Sequence, residues 1–190
     1  MAIPQAVLLI DQNYILQFSH LNKSVEFSYI KASILDAQAT RLQQVLGTDL
    51  YEKILEETAD ETISGAYVTL KDSYIKPSLL YWTLWDALPH LKVKIDNGGI
   101  VERTSDYTTP IGLTEMDRIR EDYKAKAQFM DRRMVDYLCA NSGSFPEWST
   151  DNAQQIKARK TVGVLSFGVV SRTNTRAALL DDPYWRVLYT

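Results

Sequence analysis

The sequence is short of the residues that most enzyme and metal chemistry uses. It has two His and one Cys among 190 residues. So few exclude a Cys-rich zinc site and an intrachain disulfide framework. A single Cys also fits a reducing compartment. Gly and Pro are sparse, at 8 and 6, which argues against a collagen-like or disordered polymer. No long apolar run is present. Ala6 to Ile10 is the longest, against the roughly 20 residues of a membrane span. Met1-Ala2-Ile3-Pro4 has neither a basic start nor a long apolar stretch, so a signal peptide is not expected. These features predict a soluble chain made in the cytoplasm, with no membrane partner. Strong net charge is missing too: the balance is −3, which disfavours binding a polyanion by bulk electrostatics.

What the sequence does have is aromatic surface and helical periodicity. Eleven Tyr, four Trp and five Phe accompany stripes at spacings of three and four. Residues 1–25 read as an extended lead-in. Ile30, Ile34, Ala37, Arg41 and Val45, interleaved with Leu35, Leu42 and Leu46, predict a helix over 29–46. Ser28 is its expected cap and Gly47 its left-handed stop. Thr48 and Asp49 offer caps for a short helix over 50–58, followed by a solvated acidic stretch, 56–61. An aromatic-rich helix is expected over 67–88, with a kink or a Ser73-capped restart at Pro77 and an end at Pro89. Polarity alternates on either side of Asp96-Asn97-Gly98-Gly99, which predicts a β-hairpin over about 92–103 with a type I′ turn. Thr114 caps a last long helix, 115–140, whose stripe is Met116, Ile119, Tyr123, Ala127, Met130, Met134 and Tyr137. Phe145-Pro146-Glu147-Trp148 then forms an ordered turn.

The expected fold is therefore mainly α: a small helical bundle over 1–150 with a hairpin and an extended C-terminal arm over 151–190. Charge divides at the same place. Residues 1–150 carry 15 basic against 21 acidic side chains, a balance of −6, and residues 151–190 carry 6 against 3, or +3. One echo, Ser28-Tyr29-Ile30-Lys31-Ala32-Ser33 against Ser73-Tyr74-Ile75-Lys76-Pro77-Ser78, is read as two helices entering one core with similar caps and anchors.

No catalytic constellation follows from spacing. His20 and His90 form no metal-ligating pair, and His90 is read as a turn residue after Pro89. Cys139 is expected as a small buried hydrophobe. Phosphate-loop, nucleophile-elbow and dinucleotide motifs are lacking. The carboxylate pair Glu121-Asp122 points about 100° apart on a helix, and with Asp181-Asp182 is read as solvated surface. No cofactor or metal is expected. Trp82 and Trp85 are read first as core and second as a ligand platform.

The candidate working surface is an interface. Lys157, Arg159 and Lys160, with Arg172 and Arg176, could meet phosphates or an acidic protein surface. Val164, Phe167, Tyr184 and Trp185 are apolar or aromatic residues of the kind that anchor interfaces. The hairpin residues Ile95, Asn97, Gly98 and Ile100 could form a projecting contact.

Two stretches support a family resemblance: Tyr29-Ile30-Lys31 through Val45-Leu46-Gly47-Thr48-Asp49-Leu50-Tyr51, and Tyr74-Ile75-Lys76-Pro77 through Asp86-Ala87-Leu88-Pro89. Together with Asn97-Gly98-Gly99-Ile100-Val101 and Phe145-Pro146-Glu147-Trp148, they resemble head–tail connector (neck adaptor, ring) proteins of tailed phages infecting Bacteroidetes, including crAss-like phages. The resemblance spans about residues 26–150 and its motifs are structural. It implies a virion protein without enzyme activity, in a homo-oligomeric ring of about twelve copies. Such a ring would dock on the portal protein, contact neighbouring neck or tail rings, and let DNA pass without specific binding. The rival reading is a nucleic-acid-binding accessory protein that uses the basic arm.

Overall fold

In a computed structural model the chain is mainly helical. The structure describes residues 7–96, 99–102, 112–149 and 156–160, with backbone alone for 94–96 and 99–102. The order is α1 Gln12–Phe18, α2 Phe27–Ala37, α3 Gln43–Leu46, α4 Thr48–Ala59, α5 Ala66–Leu70, α6 Lys76–Lys92, β1 Val93–Asp96, β2 Gly99–Glu102 and α7 Leu113–Ala140. Two 3₁₀ turns follow, Ser142–Ser144 and Pro146–Ser149. α6 packs against both α2 and α7, so it is the central element.

Two of these rods are continuous through π-helical turns. Residues 38–42 join α2 to α3, closed by the Gln43 N–H on the Gln38 carbonyl. Residues 71–75 join α5 to α6, closed by the Lys76 N–H on the Lys71 carbonyl. The second turn explains how Pro77 is accommodated without the expected kink or Ser73 cap. Resetting the register at Lys76 places Pro77 in the first turn of α6, where an N–H is not required.

Pro89 does not end α6, which runs on to Lys92 and includes His90, exposed in the last helical turn. A proline at 89 removes the donor that would serve the carbonyl four residues back, at Trp85. Arg120 of α7 supplies a replacement: its Nε–H donates to the Trp85 carbonyl at 3.2 Å. Tertiary packing thus repairs the break that local sequence predicts.

Other expectations also need correcting. The lead-in is not simply extended, because Asp11 caps α1 by accepting from the Tyr14 N–H. The segment before it is pinned by buried Gln38, whose Oε1 accepts from Leu9 N–H at 2.9 Å and whose Nε2 donates to the Val7 carbonyl at 3.0 Å. α2 starts two residues early, after Glu26 rather than Ser28. Gly47, not Thr48 or Asp49, precedes α4, and Gly112, not Thr114, precedes α7. Ile119 is exposed, whereas Asp131 is buried, off the predicted stripe. Cys139 is exposed, because Val135 and Leu138 hold the inward face there.

The core is one cluster that includes Ile34, Leu46, Leu50, Ile54, Leu70, Ile75, Leu79, Met134, Leu138 and Phe145. Each such side chain contributes on the order of 1.5–3 kcal/mol by leaving water. In the echoed hexapeptides Ile30 and Ile75 are both buried, as are Ser33 and Ser78. The repeat therefore marks inward faces rather than caps. β1 and β2 run antiparallel with Ile95 opposite Ile100. The turn residues Asn97 and Gly98 lie outside the described residues.

Candidate functional site: a strap and an unpaired groove

Three features of the surface are built from the residues upward. The first is a strap. Gly47 joins α3 to α4 with φ +78° and ψ 163°, positive as a glycine stop requires but not the left-handed helical conformation. Its missing side chain leaves room for Ala158, since a Cβ there would lie 3.0 Å from the Ala158 nitrogen. Residues 156–160 use that gap. The Thr48 N–H donates to the Ile156 carbonyl at 3.0 Å and the Arg159 N–H to the Gln44 carbonyl at 2.9 Å. Ile156 N–H in turn donates to Thr48 Oγ1 at 3.1 Å. The expected arm is thus bound to the helical body at 156–160.

The second feature holds the turn beneath that strap. Lys53 Nζ donates to Glu147 Oε1 at 2.6 Å, and Tyr67 Oη donates to Glu147 Oε2 at 2.8 Å. Burial pushes the Glu147 carboxyl up, but the hydrogen bonds from Lys53, its own backbone and Tyr67 outweigh this and hold it below its usual value. The same bond to Glu147 raises the Lys53 ammonium. This cluster fixes the Pro146–Ser149 turn, so Trp148 buries its ring and donates from Nε1 to the Val45 carbonyl at 3.2 Å. The Lys160 ammonium lies 5.3 Å from the Trp148 ring centroid, a favourable cation–π placement.

The third feature is a groove of about 350 Å³ between α2, the 38–42 turn and α6, lined by Asp36, Thr40, Arg41, Trp82, Trp85 and Asp86. The Arg41 guanidinium lies 4.8 Å from the Trp82 ring centroid and 5.2 Å from that of Trp85. Arg120 also lies over Trp85, at 4.7 Å. Beneath the groove, Ser78 Oγ and Trp82 Nε1 both donate to the buried Asp131 carboxylate, the latter at 2.9 Å. Burial pushes the Asp131 carboxyl up, against the opposing pull of these two bonds and of Arg41. Among the described residues Arg41 and Asp86 make no ion pair, and Asp86 Oδ2 is buried without a hydrogen bond.

The predicted interface residues are distributed unevenly around these features. Lys157, Arg159 and Lys160 are exposed along the strap. Ile95 and Ile100 are register partners in the antiparallel pairing of β1 and β2. Asn97, Gly98, Val164, Phe167, Arg172, Arg176, Tyr184 and Trp185 lie outside the described residues. The groove is absent from the sequence-based set. Its signal was Arg41, a charge on an apolar stripe, opposite two Trp three residues apart.

A family model described as a family of unknown function (DUF6712) matches residues 42–158. The chain belongs to that family. The matched span ends at Ala158, the residue seated against Gly47, so the DUF6712 unit takes in the start of the strap. No curated protein and no solved structure matches the chain. Among the described residues no cluster of His, Cys, Asp and Glu could hold a metal ion, and no helix is long and apolar enough to cross a membrane.

Proposed function

We propose that the protein is a structural virion component without enzyme activity. It would form one subunit of a homo-oligomeric ring in the phage head–tail neck that docks on the portal and extends the DNA channel. The observation that carries this reading is the strap. Residues 156–160 are fastened to a rigid helical body by backbone hydrogen bonds at Thr48 and Gln44, so the following segment leaves from a fixed point. A ring subunit that reaches a neighbour needs such a launch point, because a heterologous interface joins two different faces of successive copies. The −6 balance of residues 1–150 suits a channel through which DNA slides, since cationic phosphate contacts would retain it. The resemblance over residues 26–150 points the same way, and the hairpin 92–103 would add a second projecting contact.

The test is assembly. Full-length protein mixed with its portal should give rings by electron microscopy and a portal-bound species in sedimentation. A chain ending at Lys160 should fold yet fail to dock. Normal incorporation of that truncated chain into particles would refute the role given to the arm.

A second reading rests on the exposed Lys157, Arg159 and Lys160: a nucleic-acid-binding accessory protein. It predicts a gel shift with duplex DNA that weakens steeply with salt. The ring reading predicts no shift.

A further inference from the structure

We propose that the outward face of α7 is a contact between two copies of this chain, packed antiparallel about a twofold axis level with position 127. The inference goes beyond the ring reading, because an isologous contact closes at two copies whereas a ring joins two different faces. The helix itself sets this face. Ala127, Met134 and Leu138 are buried on the side of α7 turned to the core. On the opposite side Arg118, Asp122, Ala125, Phe129, Arg132 and Asp136 succeed one another at spacings of 4, 3, 4, 3 and 4, and all are exposed. This is the spacing with which one helix meets another, here along a seam of about 27 Å. Phe129, 55% exposed, stands near its middle.

The charges name the partner and its direction. Glu121 and Asp122 lie on one side of position 127, and Arg132 and Arg133 lie at the same distance on the other. An antiparallel second copy brings each acidic pair against a basic pair, sets Arg118 opposite Asp136, and gives Phe129 the small Ala125 to pack on. A parallel copy would stack acid on acid and arginine on arginine, which is repulsive. The groups are also open to a partner. Among the described residues the ion pairs of α7 are Arg120–Asp117, Lys124–Glu121 and Lys126–Asp122. Arg118, Arg132 and Asp136 join none of them, although Arg118 and Asp122, like Arg132 and Asp136, stand four apart. Arg133 leans over the Tyr74 ring, 5.8 Å from its centroid, and is still exposed. Glu121 and Asp122 remain more than half exposed in their pairs, and a carboxylate accepts from more than one donor. A polyanion would meet Glu121, Asp122 and Asp136, and a membrane would meet charge on every turn around Phe129. Neither fits the whole face as a second copy does.

The experiment is sedimentation of the full-length chain across a concentration series at low salt. Wild type should show a reversible dimer. Phe129→Ala should weaken it about tenfold or more, and so should each charge reversal, Glu121→Arg/Asp122→Arg and Arg132→Glu/Arg133→Glu. Joining both reversals in one chain should restore the dimer, because acid again meets arginine across the axis. These side chains are all exposed, and unchanged thermal unfolding checks that the variants fold. Direction is read by oxidation. Antiparallel packing holds the two Cys139 side chains about 36 Å apart but brings Cys139 level with Thr114 of the second copy. Thr114→Cys should therefore give a dimer crosslinked through positions 114 and 139, and wild type should give none. A wild type that stays monomeric, as when a segment of its own chain covers the face, would overturn the proposal. So would a dimer indifferent to every variant, or a Cys139–Cys139 crosslink. The 114–139 crosslink reads the α7 contact inside any larger species too, and portal docking is scored separately. Failure of the ring reading and failure of this contact are thereby distinguishable.

Discussion

Replacing Asp131 separates the charge of a buried carboxylate from its hydrogen-bonding capacity. Asp131 lies on α7 and accepts from Ser78 and Trp82 of α6, so it ties together two central helices. Removing the side chain, Asp131→Ala, leaves the Trp82 Nε1–H without an acceptor. The Ser78 hydroxyl can turn to a carbonyl of its own helix. One orphaned buried donor is worth about 1–3 kcal/mol, and the small void adds on the order of 1 kcal/mol. The expected loss is about 2–4 kcal/mol, or roughly 5–15 °C in Tm for a domain of this size. Asp131→Asn has a different prospect. Its carbonyl can accept from Trp82 while its amide donates to Ser78 Oγ, so the Trp82 donor keeps an acceptor and a desolvated charge is gone. That variant should unfold within about 1 kcal/mol of wild type. The pH dependence sharpens the contrast. The folded carboxyl titrates above its unfolded value, so the folded state holds its proton more tightly. Its ionisation penalty therefore sets in as pH rises from the unfolded value through the folded one, and Asp131→Asn should remove that part of the stability profile. Urea unfolding of the three proteins between pH 3 and 8 measures all of this. If Asp131→Asn loses as much as Asp131→Ala, the negative charge is stabilising, through Arg41, and the reasoning fails.

Further expectations concern the other surface features. Gly47→Ala forces a Cβ against Ala158 in a positive-φ, extended-ψ position that is essentially reserved for glycine, which costs about 1–3 kcal/mol; trypsin should then cleave the strap at Lys157 and Arg159 faster, and an unchanged rate would count against the strap. Glu147→Gln should cost about 1 kcal/mol or less at neutral pH, because the Lys53 contact is partly exposed. A carboxyl held below its usual value stabilises above its unfolded pKa and loses that effect as pH falls through the folded one. The variant and wild type should therefore converge in acid, and a gap that persists at pH 2 would contradict this. Arg120→Met should cost about 1–2 kcal/mol by orphaning the Trp85 carbonyl, and clearly less when Pro89→Ala restores a helical donor. Additive losses in that double-mutant cycle would show that the two groups do not share the carbonyl.

How much of this could be read from residues alone depends on the distance over which each signal acts. The stripe Ile30, Ile34, Ala37 announced its helix because periodicity is a property of neighbours in sequence, and the burial of those residues follows. Gly47 announced a break for the same reason. Local rules misplaced Pro89, because the donor that rescues Trp85 is on another helix, at Arg120. They misplaced Cys139, since which side of α7 faces inward is set by what α6 presents to it. Arg41 falls on the stripe of its helix by spacing alone, and only helix packing brings its guanidinium over Trp82 and Trp85.

The sequence by itself determined the mainly helical character, the scarcity of metal- and thiol-type chemistry, and the charge contrast between residues 1–150 and 151–190. Those follow from composition and from spacings within one or two turns. Only the tertiary structure decided that residues 156–160 lie on the body, that a buried Asp131 links α6 to α7, and that Asp36 and Asp86 line one groove with Trp82 and Trp85. Each joins residues far apart in the chain, and such contacts depend on how the helices pack rather than on any local preference.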